Sequence, residues 1–364
     1  MNHNPLVLLI FCAILLPNLS QAKTLKVALF IPQQSPFWNL VSNFSQEAAN
    51  DLKVELKIYD AQSNQFQMID QVQDAISGPN KVDAIIFQNF KHVAQDVIKM
   101  AEKAQVYCYL FNSSIPEDDN LGKPRQRYKY WVGEMLPDDI KAASDITHQL
   151  IDTALAKKRI ASDGKVHVVA IAGRLADTSS IDRIKGVEHA IKERTDSVLK
   201  QVFHTDWGEE EGIYKYYGAR ARYPSVSVIF SASYRTTNGI VDFLMPANKE
   251  VYTNSFGLTE DSLEQVARGE IVTTTGGHYI EGAWALVQMY DYLHGIDFAN
   301  EAISRGTPMP IINKANVDFF ISRITDKKFT KENLSKIDFT QYSKKLNPKL
   351  KKYSFDFESI LSQL

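Results

Sequence analysis

Cysteine is nearly missing from this chain: there are two in 364 residues. Cys12 lies in an apolar N-terminal stretch, so Cys108 is the one thiol left once that stretch is set aside. No intramolecular disulfide framework is available. Cys108 falls in the apolar run 106–111, where a thiol behaves as a small hydrophobe. A surplus of charge is also missing. Lysine and arginine number 41 against 43 acidic residues, a formal net charge of -2. A general nucleic-acid binder would need a basic excess, so nucleic acid is excluded as a partner. Long hydrophobic runs are absent after residue 22, and nothing there reaches the ~18 apolar residues of a membrane-spanning helix. The common catalytic signatures are absent as well: no GxSxG, HExxH, CxxC or GxxxxGK[ST] occurs. Gly276-Gly277-His278 is too short a signal for a nucleotide loop. The eight histidines are scattered, without metal-ligand spacing on one helix face. Asp118-Asp119-Asn120 sits in a surface-loop context, not a calcium loop. The expectation is a binding protein with no cofactor and no metal. A hydrolase assembled from distant residues is the enzymatic alternative.

The N-terminus is a unit of its own. Residues 6–16 (LVLLIFCAILL) are apolar and uncharged, and Pro17 breaks them. Ser20-Gln21-Ala22 then offers small residues before Lys23. This reads as a cleaved secretory signal peptide over 1–22, giving a soluble exported protein of the periplasm. The n-region carries only the α-amine and His3, so an uncleaved anchor or a buried helix is the alternative. Phe11 precedes Cys12 where a lipid-attachment site wants a small residue, which argues against lipidation.

The remainder alternates strand and helix. A chain this long exceeds one compact core and suits two α/β lobes. Apolar strand candidates occur at 25–31, 54–59, 84–87 and 106–111, then at 166–172, 198–204, 226–230 and 251–256. Helical patterns separate them, as in Ile69-Val72-Gln73-Ile76 and Val93-Val97-Ile98-Ala101. This order implies right-handed βαβ crossovers and parallel sheets. Residues 116–129 (PEDDNLGKPRQRYK) read as a surface connection. Residues 130–133 form a short extended piece, Asp138 caps the next helix, and the first passage between lobes is expected near Gly133. From Asp326 onward the chain is rich in lysine, with Ile337, Phe339, Tyr342, Tyr353, Phe355, Phe357 and Ile360 interspersed. A solvated extension packed along a lobe is one reading; a partner or membrane-surface contact is the other.

In open parallel sheets, ligands bind outside the carboxyl ends of the strands. The first strand breaks into Pro32-Gln33-Gln34-Ser35-Pro36-Phe37-Trp38, so Gln33, Ser35 and Trp38 fall where a small polar molecule would sit. Gly173 to Ser180 follows a buried strand and opens a helix whose buried face is set by Ile184, Val187 and Ile191. Arg183 lies in its first turn and off that face, available to a ligand hydroxyl or carboxylate. A surface pairing with Asp182 or Glu188 is the alternative. Thr205-Asp206-Trp207, Ser233-Tyr234-Arg235 and Phe256-Gly257 end the following strands. Aromatic faces beside hydroxyl and amide donors suit a sugar ring, which has apolar C–H faces and polar edges.

With these motifs the chain resembles a type I periplasmic solute-binding protein of the ribose-binding group, over roughly residues 24–322. The opening motif of that group appears as Gln34-Ser35-Pro36-Phe37-Trp38. Its Arg-x-x-Gly motif appears as Arg183-Ile184-Lys185-Gly186-Val187, its Asp-aromatic pair as Asp206-Trp207, and its strand-end ligand position as Ser233. Within the group the chain also resembles receptors for a furanosyl-borate quorum signal, through Gln33, Ser35, Trp38, Asn112 and Arg183. It departs from them at Tyr234-Arg235 and at Gly277-His278, and from ribose binders at Asn112-Ser113.

The resemblance implies two Rossmann-like lobes joined by a three-crossover hinge. One lobe takes 23–133 and 279–308, the other 134–278 and 309–325, with 326–364 as a lysine-rich extension. It implies stacking on Trp38 and Trp207 and hydrogen bonds from Gln33, Ser35, Asn112 and Arg183. Phe37, Asp206, Ser233, Tyr234, Phe256 and His278 complete the expected ligand site. The implied ligand is sugar-like and held without chemistry by a monomer that closes around it. The implied partner is a membrane transporter permease or, alternatively, a sensor kinase.

Overall fold

The computed structural model describes residues 23–116, 119–241, 243, 251–324 and 329–364. The expected signal peptide at 1–22 and Asp118 lie outside the described residues. The first half runs β1 (Lys26–Ile31), α1 (Pro36–Leu52), β2 (Glu55–Asp60), α2 (Gln65–Ala75), β3 (Ala84–Phe87), α3 (Ala94–Ala104), β4 (Tyr107–Phe111) and β5 (Trp131–Pro137). The second runs α4 (Asp139–Ala156), β6 (Val166–Ala172), α5 (Thr178–Lys192), β7 (Ser197–His204), α6 (Glu209–Arg222), β8 (Val226–Ser231), α7 (Tyr234–Val241), β9 (Tyr252–Phe256), α8 (Glu260–Arg268) and β10 (Thr273–Thr275). The chain then returns through α9 (Glu281–Leu293) and β11 (Ser304–Thr307), crosses again to β12 (Ile311–Asn313) and α10 (Val317–Ile321), and ends with α11 (Lys331–Leu334) and α12 (Phe357–Leu361).

Two six-stranded sheets result. The first has the order β11-β5-β4-β3-β1-β2 and is parallel throughout. The second has the order β12-β10-β9-β8-β6-β7, and only β12 is antiparallel, on β10. This is the expected pair of α/β lobes. In each sheet the order reverses about one strand, β1 or β6. At such a reversal the flanking loops part and leave a crevice at the strand's carboxyl end.

The strands form where short buried apolar runs forbid an amphipathic helix. Lys26–Ile31 buries every side chain but the first. The helices form where one stripe is apolar and an end is capped. In α1, Val41, Phe44, Ala48 and Leu52 are buried, Ser35 caps the N-terminus by accepting from the Trp38 N–H at 3.3 Å, and Pro36 occupies the first turn. Asp138 caps α4 as expected, accepting from the Lys141 N–H at 3.2 Å.

One boundary moves. The first passage out of the first sheet was expected near Gly133, but β5 continues to Pro137, so the chain leaves after Pro137. Gly133 lies mid-strand because a side chain does not fit there: a Cβ would meet ring atoms of Phe298 and Tyr109 at 2.8 Å. Two further passages, between Thr275 and Glu281 and between Thr307 and Ile311, bring the connections to three.

The lysine-rich extension packs along a lobe, and more deeply than its charge suggests. Ile337, Phe339, Tyr342, Tyr353, Phe355, Phe357, Ile360 and Leu361 join one core with α1, α9 and residues of α8 and α10. Phe355 stacks on Trp284 at 5.4 Å, and the Phe339 N–H donates to Asp51 at 2.8 Å. Each fully buried aromatic contributes on the order of 2–3 kcal/mol, so the extension is structural over much of its length.

Candidate functional site

The carboxyl ends of both sheets open on one cavity of about 380 Å³. That falls within the ~300–1,000 Å³ usual for small-molecule sites. All twelve residues expected at the ligand site line it: Gln33, Ser35, Phe37, Trp38, Asn112, Arg183, Asp206, Trp207, Ser233, Tyr234, Phe256 and His278.

The first-sheet wall begins where β1 ends. Ser35 is committed to capping α1. Gln33 accepts through Oε1 from the Ser63 hydroxyl, which fixes its amide and leaves the NH₂ group for the cavity. Phe37 packs edge-on to Trp38 at 5.1 Å, and Trp38 packs edge-on to Phe111 at 6.1 Å. Asn112 follows β4 in a left-handed conformation, φ 66°, with its N–H donating to the Met135 carbonyl at 3.0 Å. Behind Asn112 is Glu281, fully buried at the start of α9. Burial raises its carboxyl well above the usual range, against the pull of Thr307 and Asn112.

The second-sheet wall is built around Trp207. Its indole N–H donates to Asp177 at 2.6 Å, and its ring covers Gly173. A Cβ at Gly173 would come within 2.1 Å of that ring, so the indole can lie there only over glycine. Arg174 ties the rim together, donating to Asp206 at 3.1 Å and reaching Asp177 at 3.5 Å. Ser233 accepts from the Arg235 N–H at 3.2 Å. Tyr234 packs over Gly257, and burial raises its phenol.

Arg183 corrects one expectation. It is buried, not off the packed face, and its partner is Asp139 rather than Asp182 or Glu188. Nε donates to Asp139 at 2.8 Å and Nη1 to the Ala232 carbonyl at 2.7 Å. The guanidinium lies 3.8 Å from the Phe256 ring centroid and 5.7 Å from that of Trp207. The cause is Gly186, one turn on. A Cβ there would meet the Ile140 carbonyl of α4 at 2.3 Å, so α5 and α4 touch backbone to backbone. That approach brings Asp139 beside Arg183. Burial pushes the Asp139 carboxyl up, and Arg183 draws it back down.

His278 lies in the second interlobe connection, its ring 4.8 Å from Phe37. Burial, reinforced by Arg183, lowers its pKa to about 3. It is therefore a neutral imidazole, able to donate through one nitrogen and accept through the other.

The third strand end escaped the sequence reading. Gln88, Asn89 and Phe90 line the cavity after β3. They repeat the polar–aromatic pattern seen after β1, so the signal was present. Asn89 accepts from the Ala94 N–H at 3.0 Å, and Gln88 accepts from the Ser113 hydroxyl at 3.1 Å. The walls also touch across the cleft. Thr178 donates to the Ser114 carbonyl at 3.0 Å, and the Ser114 hydroxyl donates to Asp182 at 3.3 Å. No cluster of metal-binding side chains occurs among the described residues.

The family model described as a periplasmic binding protein domain matches residues 27–297. The chain belongs to the periplasmic binding protein family. Solved structures agree on the type I fold. A periplasmic sugar-binding protein from Pseudomonas fluorescens is 20% identical, covers 92% of this chain and 99% of its own, and superposes with a TM-score of 0.78. An ABC transporter solute-binding protein from Bacillus halodurans, with bound myo-inositol, is 17% identical, covers 82% and 98%, and gives 0.69. One from Agrobacterium vitis, bound with α-D-tagatopyranose, is 18% identical, covers 83% and 99%, and gives 0.69. No curated protein matches this periplasmic binding protein in a sequence comparison. Its lining residues stand at the position typical of the fold, outside the carboxyl ends of both sheets.

Proposed function

We propose that this periplasmic binding protein captures one sugar or sugar-like molecule in the cavity, closes its lobes around it and presents it to a membrane ABC transporter. The observation that carries the reading is the composition of the walls. Phe37, Trp38, Trp207 and Phe256 supply aromatic faces, and Gln33, Asn112, Arg183 and His278 supply polar groups, on one cavity between the sheets. Flat aromatic faces cover the C–H surfaces of a sugar ring while amides and guanidinium meet its hydroxyls. The bound myo-inositol and tagatose of two relatives are consistent with such a ligand.

In this reading Arg183 is the central donor, held rigid by Asp139 and Ala232. The Thr178–Ser114 contact belongs to the closed form. No bond is made or broken in the ligand. The signal peptide at 1–22 delivers the chain to the periplasm.

A thermal-shift screen against pentoses, hexoses, furanoses, inositols and borate adducts tests this directly. A ligand that binds only the folded state raises the melting temperature through RT ln(1 + [L]/Kd). A clear shift with one polyol class, unchanged ligand recovered afterwards, supports the proposal. No shift across the panel, or recovery of a converted product, contradicts it.

A further inference from the structure

The densest run of lysines in the chain lies away from the cavity lining, in one loop. Residues 344–352 read KKLNPKLKK, five lysines in nine residues with no acidic residue among them. The whole chain carries -2, so this loop is far more basic than the chain as a whole.

Two carboxylates pin the loop at both ends. Asp291, buried on α9, accepts from the Ser343 hydroxyl at 2.5 Å, the Lys344 N–H at 2.7 Å and the Lys345 N–H at 3.2 Å. It also accepts from the Tyr353 hydroxyl at 2.7 Å. Glu301 accepts from the Tyr353 N–H at 2.9 Å and pairs with the Lys344 ammonium. Lys344 is thereby engaged. Lys345, Lys349, Lys351 and Lys352 are exposed, and no carboxylate among the described residues pairs with them. Leu346 stands among them, 42% exposed. Anchored ends with an exposed cationic tip make a surface, not a solvated tail.

We infer that loop 344–352 is a docking surface for a membrane bearing anionic lipid. Lysines near an anionic leaflet each add attraction, acting within a Debye length of about 10 Å. An exposed leucine among them can enter the headgroup layer. The alternative, an acidic protein, fits less well. Protein interfaces concentrate tryptophan, tyrosine and arginine and are poor in lysine, and loop 344–352 holds neither aromatic residue nor arginine. Position agrees too. Glu281 follows the turn that lines the cavity, and Asp291 comes ten residues later on the same helix, about 15 Å along its axis. Docking through the loop leaves the mouth of the cleft free.

The test is co-sedimentation of the chain over residues 23–364 with vesicles. One set contains about 30% phosphatidylglycerol in phosphatidylcholine, the other phosphatidylcholine alone. The wild type is expected with the anionic vesicles only, and is expected to be released at about 0.5 M salt. Replacing Lys345, Lys349, Lys351 and Lys352 together by Gln should weaken binding about 100-fold or more, with melting temperature unchanged. The same four changed to Arg should keep binding. No sedimentation of the wild type, or equal sedimentation of the Gln variant, overturns the inference. Retention on polyglutamate without vesicle binding overturns it in favour of an acidic protein.

Discussion

Arg183, on the wall of the cavity, forms a buried ion pair with Asp139, 2.8 Å from Nε to Oδ1. One arginine thus holds two helices together and, in the proposed function, offers its remaining edge to a ligand. Arg183→Ala should therefore lose stability as well as affinity. Breaking a buried pair from one side costs about 3–5 kcal/mol, and removing a charged ligand contact about 2–4 kcal/mol. Urea denaturation and titration calorimetry measure the two separately. Adding Asp139→Asn to Arg183→Ala should restore part of the stability and none of the affinity.

Gly173 and Trp207 make a second such relationship. Gly173→Ala puts a methyl group 2.1 Å from the indole, so the ring must leave its site. The expected outcome is a weaker sugar affinity, by about 1–3 kcal/mol, with a shifted tryptophan emission and a cooperative unfolding transition. Unchanged affinity and emission would mean the indole does not need that surface.

The strand-end loops were legible because a short buried run followed by polar and aromatic residues has few other meanings. Gln33, Trp38, Asp206-Trp207 and Ser233-Tyr234 were found on that basis. Arg183 was legible as a candidate but not as a buried residue. Periodicity gives weight to bulky apolar side chains, so Ile184, Val187 and Ile191 defined the packed face. The observed stripe is Arg183, Gly186, Val187 and Ala190, where small residues admit the neighbouring helix. Gly133 misled for a related reason. A glycine inside a strand resembles a break until its neighbours, Phe298 and Tyr109, are known. The extension hid its core aromatics among lysines, and sequence distance concealed that they pack on α1 and α9.

The two walls of the cleft also meet directly. Thr178 and Ser114 come from opposite sides of the cleft and meet at 3.0 Å. Thr178→Val removes the donor and leaves shape nearly intact. Affinity should fall by about 0.5–1.5 kcal/mol, the worth of one such hydrogen bond, while urea stability without ligand stays the same. Isothermal titration of both proteins with one sugar provides the comparison.

His278 gives a pH dependence of known sign. Its folded pKa is depressed to about 3 from 6.5. Between those values the unfolded state binds a proton that the folded state refuses, so stability falls as pH falls through that window. His278→Gln should flatten this part of the profile relative to wild type, with little change above pH about 7. Melting temperatures of the two proteins across that range measure the difference. Parallel profiles would mean the imidazole is not held neutral.

The central claim is that the lobes close on a sugar held between Trp38 and Trp207. Small-angle scattering of the chain over residues 23–364, with and without a saturating sugar identified by thermal shift, tests it most directly. The account predicts a smaller radius of gyration at saturation, accompanied by a change in tryptophan fluorescence. Saturation shown by calorimetry, with the radius of gyration unchanged, would contradict it.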